Sequence, residues 1–142
     1  MRLRGLIFIV SAVSSFIALD SCQNQDQLSY VRYYTNGKML YDQHCQNCHN
    51  ANGNGLGKLI PPLTDSLFLR KNKALLACII KHGLNDSITI NNTIYHEQMP
   101  GNSQLTDIDI AQIITYITNS FGNKQGFYDV SNAGNDLKNC RD

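Results

Sequence analysis

The sequence predicts a small all-α domain with three main helices and one short hairpin. The clearest helix begins after Thr106 and ends before Gly122, because large apolar residues recur between them at helical spacing. These residues are Ile110, Ile113, Ile114, Ile117 and Phe121. Thr106 followed by Asp109 approximates a capping box, and Leu105 would complete a hydrophobic staple with Ile110.

Two further elements precede this helix. Residues 72–82 form a second predicted helix, because Leu75, Leu76, Ile79 and Ile80 give it an apolar face and Gly83 is a good C-terminal stop. The segments 88–90 and 93–95 alternate apolar and polar residues around Asn91-Asn92, which predicts a small hairpin.

The first predicted helix, Gly37–Cys45, is capped by Thr35 or Asn36 and leads into Cys45-Gln46-Asn47-Cys48-His49. Cysteines at this spacing can each form a thioether with a haem vinyl group, and the histidine can then bind the iron. A structural zinc site would need further Cys or His ligands. A redox dithiol belongs near a strand–helix unit. The motif therefore predicts one covalently bound haem c.

The second axial ligand of the iron decides between electron transfer and ligand binding. Met99 lies about 50 residues beyond His49, enough chain to reach the opposite face of the ring, and Pro100 restricts its backbone to an extended conformation. A thioether ligand raises the reduction potential relative to a second histidine. Met39 is tied to the proximal side by its helix, and His96 is the rival ligand.

No ligand role is predicted for the other two histidines. His44 precedes the motif and is expected in solvent or near the haem edge. His82 lies in the last turn of the second helix, where a cation suits the helix dipole.

The N-terminus predicts export. Arg2 and Arg4 precede an apolar run, residues 6–19, which is shorter than the ~20 residues of a membrane-spanning helix. We interpret residues 1–21 as a lipoprotein-type signal peptide, with Cys22 as the lipidation site and residues 22–35 as a polar tether. Asp20 departs from a strict lipobox. The alternative is ordinary secretory cleavage, which leaves Cys22 as a free or disulfide-bonded thiol.

The remaining chain, about 120 residues, is enough for one core. Removal of residues 1–21 reduces the formal net charge from +1 to near zero, which argues against nucleic acid as a partner. Cys78 and Cys140 are an even pair and predict a disulfide that fastens a C-terminal tail, residues 124–142. The alternative is a buried Cys78 and a free Cys140.

The sequence resembles class I c-type cytochromes over residues 36–123. The matching segments are residues 37–41, Cys45–His49, Pro61-Pro62-Leu63, Met99-Pro100 and residues 105–123. The resemblance implies a haem-binding all-α fold in which the first and last helices cross, with Gly37 and Tyr116 at the crossing. It also implies that the carbonyl of Pro61 or Pro62 accepts a hydrogen bond from the His49 imidazole.

The function expected from these features is one-electron transfer on the periplasmic side of a bacterial membrane. The iron would cycle between ferric and ferrous states, with no catalytic residue. Redox partner proteins and the membrane, through the N-terminal lipid, would be the partners. The alternative is a haem enzyme or gas-binding protein whose sixth iron position is open or labile, with His96 as an acid–base group.

Overall fold

The computed structural model describes residues 25–140. The predicted signal peptide and Cys22, the predicted lipidation site, lie outside the described residues. The chain divides into two units, residues 1–32 and 33–142, and residues 25–32 of the first unit are helical. Within the described part, no helix combines the length and the apolar character needed to cross a membrane.

The second unit is mostly helical and also contains short strands. In chain order its elements are α1 (residues 33–44), α2 (Gln46–His49), α3 (Ser66–Lys71), α4 (Lys73–His82), β1 (Gly83–Leu84), β2 (Ile88–Ile90), β3 (Thr93–Tyr95), β4 (Met99–Pro100), α5 (Asp107–Ile117) and α6 (Val130–Leu137).

Helical structure begins earlier than the sequence analysis predicted. Residues 25–35 were expected to be a polar tether but are helical, and Thr35 and Asn36 lie inside helical structure rather than capping it. Glutamine has a good helix propensity, so the polar composition of this segment does not oppose a helix. Tyr33 and Tyr34 then extend the packed surface of α1, because both lie against the core.

Helices α1 and α5 cross closely at Gly37, as the resemblance predicts. A Cβ atom at Gly37 would overlap the main chain of Gln112 and lie 2.9 Å from the Cβ of Tyr116. Tyr41, one turn further along α1, is fully buried and its ring lies 5.3 Å from that of Tyr116. This packing places the C-terminal end of α1, which leads into the Cys45–His49 motif, against the core.

The predicted capping box of α5 is present, with Thr106 and Asp109 exchanging hydrogen bonds. The helix differs from its prediction in two ways. It ends at Ile117, and Phe121 lies beyond it at a φ of 58°. Residues 110–118 are buried on every side rather than along one stripe, because α4 and α6 also pack against α5.

The predicted hairpin is confirmed, and a second strand pair was not predicted. Strands β2 and β3 are antiparallel, with Ile90 opposite Thr93 and positive φ angles at Asn91 and Asn92. Strands β1 and β4 form another antiparallel pair that joins the end of α4 to Met99-Pro100. The all-α expectation is therefore incomplete, since it omitted this pair.

The C-terminal segment, expected to be a polar tail, contains helix α6. Asp129 caps it through a reciprocal capping box with Asn132, and Ala133 is fully buried where α6 packs against α4 and α5. A disulfide joins Cys78 of α4 to Cys140, with Cα atoms 5.6 Å apart. Residues 124–140 are thus part of the folded body.

Candidate functional site

A cavity that opens to solvent lies in the second unit. Its walls are largely apolar, with contributions from α1, α4, α5, the hairpin and the loop after α2. The cavity also brings together the haem-binding residues predicted from the sequence. These are Cys45, Cys48, His49, Pro61, Pro62 and Met99.

The two motif cysteines lie in different environments. Cys45 sits between α1 and α2 and is partly buried, and burial, with a smaller contribution from the Cys48 charge, raises the pKa of its thiol to about 11. Cys48 is exposed to solvent. Cys45 is thus the N-cap of α2 on its buried side, Cys48 lies within α2 on its exposed side, and both residues line the cavity.

The His49 imidazole is held in one orientation and one tautomer. Its side chain is buried, and Nδ1 lies 3.1 Å from the carbonyl oxygen of Pro61. A carbonyl can only accept, so Nδ1 donates its proton and Nε2 keeps a free lone pair for a metal. Burial lowers the pKa of His49, although the Pro61 contact acts in the opposite direction. Of the two candidate prolines, Pro61 is the acceptor.

The main chain of Met99 is held by strand pairing with residues 83–84, which are distant from it in sequence. It pairs with Leu84, and Pro100 pairs with Gly83, whose φ is +89°. A Cβ atom at Gly83 would lie 2.5 Å from the carbonyl oxygen of Met99, and one at Gly101 would lie 2.7 Å from the amide nitrogen of Gly83. This contact between glycines holds Met99, which is partly buried, on the cavity wall.

Met39 and His96, the other candidates for the second axial ligand, do not line the cavity. His96 is exposed, does not line the cavity, and its Nδ1 lies 2.7 Å from the Ser87 hydroxyl. His82 and Met39 are also exposed and away from the cavity walls. His44 does line the cavity, and its Nδ1 lies 3.0 Å from the side-chain nitrogen Nδ2 of Asn102.

Sequence reasoning missed three contributors to the site. Asp86 and Glu97 place carboxylates on the cavity wall. Gly55 packs against the carbonyl groups of Ile60 and Pro61, with no room for a side chain. In the sequence, Gly53, Gly55 and Gly57 indicate only a loop. A carboxylate in a polar segment carries no signal that it will lie near a cavity formed by distant parts of the chain.

The residues fit a covalently attached haem. The cavity is lined mainly by aliphatic and aromatic side chains, which suit a porphyrin. A histidine with a free Nε2 and a methionine sulfur lie on the same walls as the two cysteines. These donors are the thiol, imidazole and thioether groups that haem attachment and ligation use.

Comparisons with known proteins agree with this chemistry. The family model described as Cytochrome c matches residues 34–120. The chain is also similar to two curated proteins called Cytochrome c-552. Both are from Thermus thermophilus, and the second is from a named strain of that species. Each is 29% identical over 90 residues, or 61% of this chain. The matches span 68% of the first relative and 60% of the second. Since the family model covers more than half of the chain, the protein belongs to the cytochrome c family, and its cofactor is covalently bound haem c.

Proposed function

We propose that the protein is a one-electron carrier of the class I type, lipid-anchored on the periplasmic side of a bacterial membrane. In this proposal Cys45 and Cys48 form the thioethers, and His49 and Met99 are the axial ligands. The observation that carries it is the meeting of all four side chains on one apolar cavity, although Met99 is about 50 residues away from the motif.

When bound, the haem supplies an iron that accepts and releases one electron. The chain's part is to hold both ligands through that change. The Pro61 carbonyl keeps the His49 ring oriented, and the strand pair β1–β4 keeps the main chain of Met99 in place. A rigid ligand set and an apolar lining limit the rearrangement of protein and water when the charge of the iron changes.

The electron would enter and leave at the cavity mouth. Cys48 is exposed there, and Leu59, which lines the cavity, is 52% exposed. Leu56, which forms a β-bridge with Ile60, is 54% exposed. These leucines offer a small apolar surface for brief contact with redox partners, and encounters of that kind bury little area. Respiration is the expected setting, with the protein as a free carrier or as a subunit of an oxidoreductase.

The optical spectrum of the ferric holoprotein tests the ligand assignment. Wild-type protein should be low-spin and show the weak red band expected of sulfur-ligated ferric haem. Met99→Ala should keep the haem attached, lose that band and bind cyanide readily. Met39→Ala is the matched control, because Met39 is 54% exposed and away from the cavity. If Met99→Ala keeps the low-spin spectrum of wild type, the sixth ligand is a residue other than Met99.

The location and the anchor need a separate experiment. Cys22→Ser should abolish incorporation of labelled palmitate, and the wild-type protein should be accessible to protease added to spheroplasts. Equal labelling of wild type and Cys22→Ser, or no labelling of either, would contradict the anchor without affecting the ligand assignment.

A further inference from the structure

A hydrogen bond links the residue directly before the haem-binding motif to the segment that carries Met99. Nδ1 of His44 lies 3.0 Å from the side-chain nitrogen of Asn102, and the two residues are 58 positions apart. The amide nitrogen of asparagine can only donate, so Nδ1 of His44 accepts and the ring proton is on Nε2. His44 directly precedes Cys45, and Asn102 is three residues beyond Met99.

Asn102 is held from two directions. Its backbone N–H donates to the carbonyl of Ile80 in α4, at 2.9 Å. Its side chain reaches His44, which lines the cavity at the end of α1. One residue therefore links the Met99 segment both to α4 and to the motif, and the link to the motif is made by a single side chain.

We propose that His44 and Asn102 are positioning residues that hold the Met99 segment closed against the motif. This inference rests on the proposed function of Met99 as the sixth ligand. Neither residue needs to bind the iron. In this proposal the Met99 sulfur leaves when residues 99–102 move outward, and the hydrogen bond between His44 and Asn102 opposes that movement.

The size of the effect follows from the exposure of this bond. His44 is exposed and the bond itself is open to solvent, so water competes for both partners. The free energy contributed by such an exposed hydrogen bond lies in the lower part of the usual range. It corresponds to about a threefold change in the equilibrium between the closed and the open segment. The pair should therefore change how often the segment opens without changing which ligand is preferred.

Imidazole binding to the ferric holoprotein measures this opening. Exogenous imidazole can replace the Met99 sulfur only after the sulfur has left, so the rate at saturating imidazole reports opening of the segment. We expect His44→Ala and Asn102→Ala each to raise that rate by about threefold, and the double variant to exceed neither single variant, because one bond is lost in each case.

Two variants separate the bond from a general structural effect. His44→Asn can place an amide oxygen near the position of Nδ1 and should restore a rate close to wild type. His82→Ala removes another exposed histidine that does not line the cavity and should leave the rate unchanged. Where Met99→Ala binds imidazole faster than wild type, wild-type rates in both His44→Ala and Asn102→Ala, or effects that add in the double variant, would overturn the proposal.

Hydrogen exchange of the Asn102 amide supplies a readout that does not involve the iron. That amide is bonded to Ile80, and its exchange in His44→Ala holoprotein should be about threefold faster than in wild type. Met99→Ala identifies the source of a failure. If Met99→Ala binds imidazole no faster than wild type, the assignment of Met99 as a ligand fails, and hydrogen exchange of the Asn102 backbone amide then decides the proposal. Faster exchange in His44→Ala supports closure of the segment by the His44–Asn102 bond. Unchanged exchange overturns it.

Discussion

The main chain of Gly55 packs against the carbonyl groups of Ile60 and Pro61. A Cβ atom at Gly55 would overlap the Ile60 oxygen and lie 2.7 Å from both the carbon and the oxygen of the Pro61 carbonyl, and the φ of Gly55 is +66°. The same oxygen accepts the hydrogen bond from Nδ1 of His49. The absence of a side chain at position 55 is therefore what allows the acceptor to face the imidazole.

Gly55→Ala should move this acceptor. We expect a loss of about 3 kcal/mol or more in the free energy of unfolding, from backbone strain and steric overlap together. The reduction potential should rise, because an imidazole without its acceptor is a weaker base and stabilises ferric iron less. Gly57→Ala is the control, since its φ is +54° but its Cβ would meet nothing within 4 Å. Equal potentials in the two variants would contradict the argument.

Gly83→Ala should displace Met99. A methyl group there would press on the Met99 carbonyl, so the red absorption band expected of sulfur ligation should weaken and the free energy of unfolding should fall. Gly122→Ala has the same φ of +89° but open space around the added carbon. The two variants should differ by about 1–3 kcal/mol in chemical denaturation, and Gly122→Ala should keep the band. Loss of the band in both variants would point to strain elsewhere.

Removal of the disulfide should loosen the C-terminal segment. The bridge spans 62 positions, and a loop of that size contributes on the order of 4 kcal/mol through chain entropy. The double variant Cys78→Ser/Cys140→Ser should lose that amount in guanidinium denaturation. With the haem iron ferrous in every sample, a thiol reductant should lower the stability of wild-type protein to the same value and leave the variant unchanged. Wild-type protein that is insensitive to reductant when unfolded would contradict the pairing.

Asp129 should stabilise α6 in a pH-dependent way. Hydrogen bonds from the Asn132 amide and from the Ser131 hydroxyl lower the pKa of Asp129 below its usual 3.8. The native carboxylate therefore binds a proton less readily than the unfolded one, so the stabilisation is present above pH 3.8 and is lost as pH falls through the lower native value. Asp129→Ala should cost about 1 kcal/mol at pH 7 and less under acid conditions.

The matched control for this prediction is Asp129→Asn. The amide oxygen can still cap α6, but it has no charge to lose, so its stability relative to Asp129→Ala should not depend on pH. Guanidinium denaturation of the three proteins at pH 7 and at a pH below 3.8 compares them. If Asp129→Ala loses the same free energy of unfolding at both pH values, the charge of the Asp129 carboxylate does not contribute to stability.

Local patterns predicted much of the fold. The capping box of α5 follows from Thr106 and Asp109, since a cap depends on residues three positions apart. The hairpin between β2 and β3 follows from Asn91-Asn92, because those residues accept positive φ. Helix α6 had the same kind of signal in Asp129 and Asn132, but its glycine and asparagines made the segment look like a tail. Strands β1 and β4 are two residues each, too short for a periodic pattern.

The sequence by itself determined the chemistry of this protein. Two cysteines and a histidine at the C-x-x-C-H spacing specify haem attachment, because that requirement is local to five residues. Tertiary structure decided which distant groups complete the site. It selected Pro61 over Pro62 for the His49 imidazole, and it placed Met99 on the cavity wall while His96 pairs with Ser87. These choices depend on contacts between segments far apart in the chain, such as Gly83 with Met99, and no local pattern carries them.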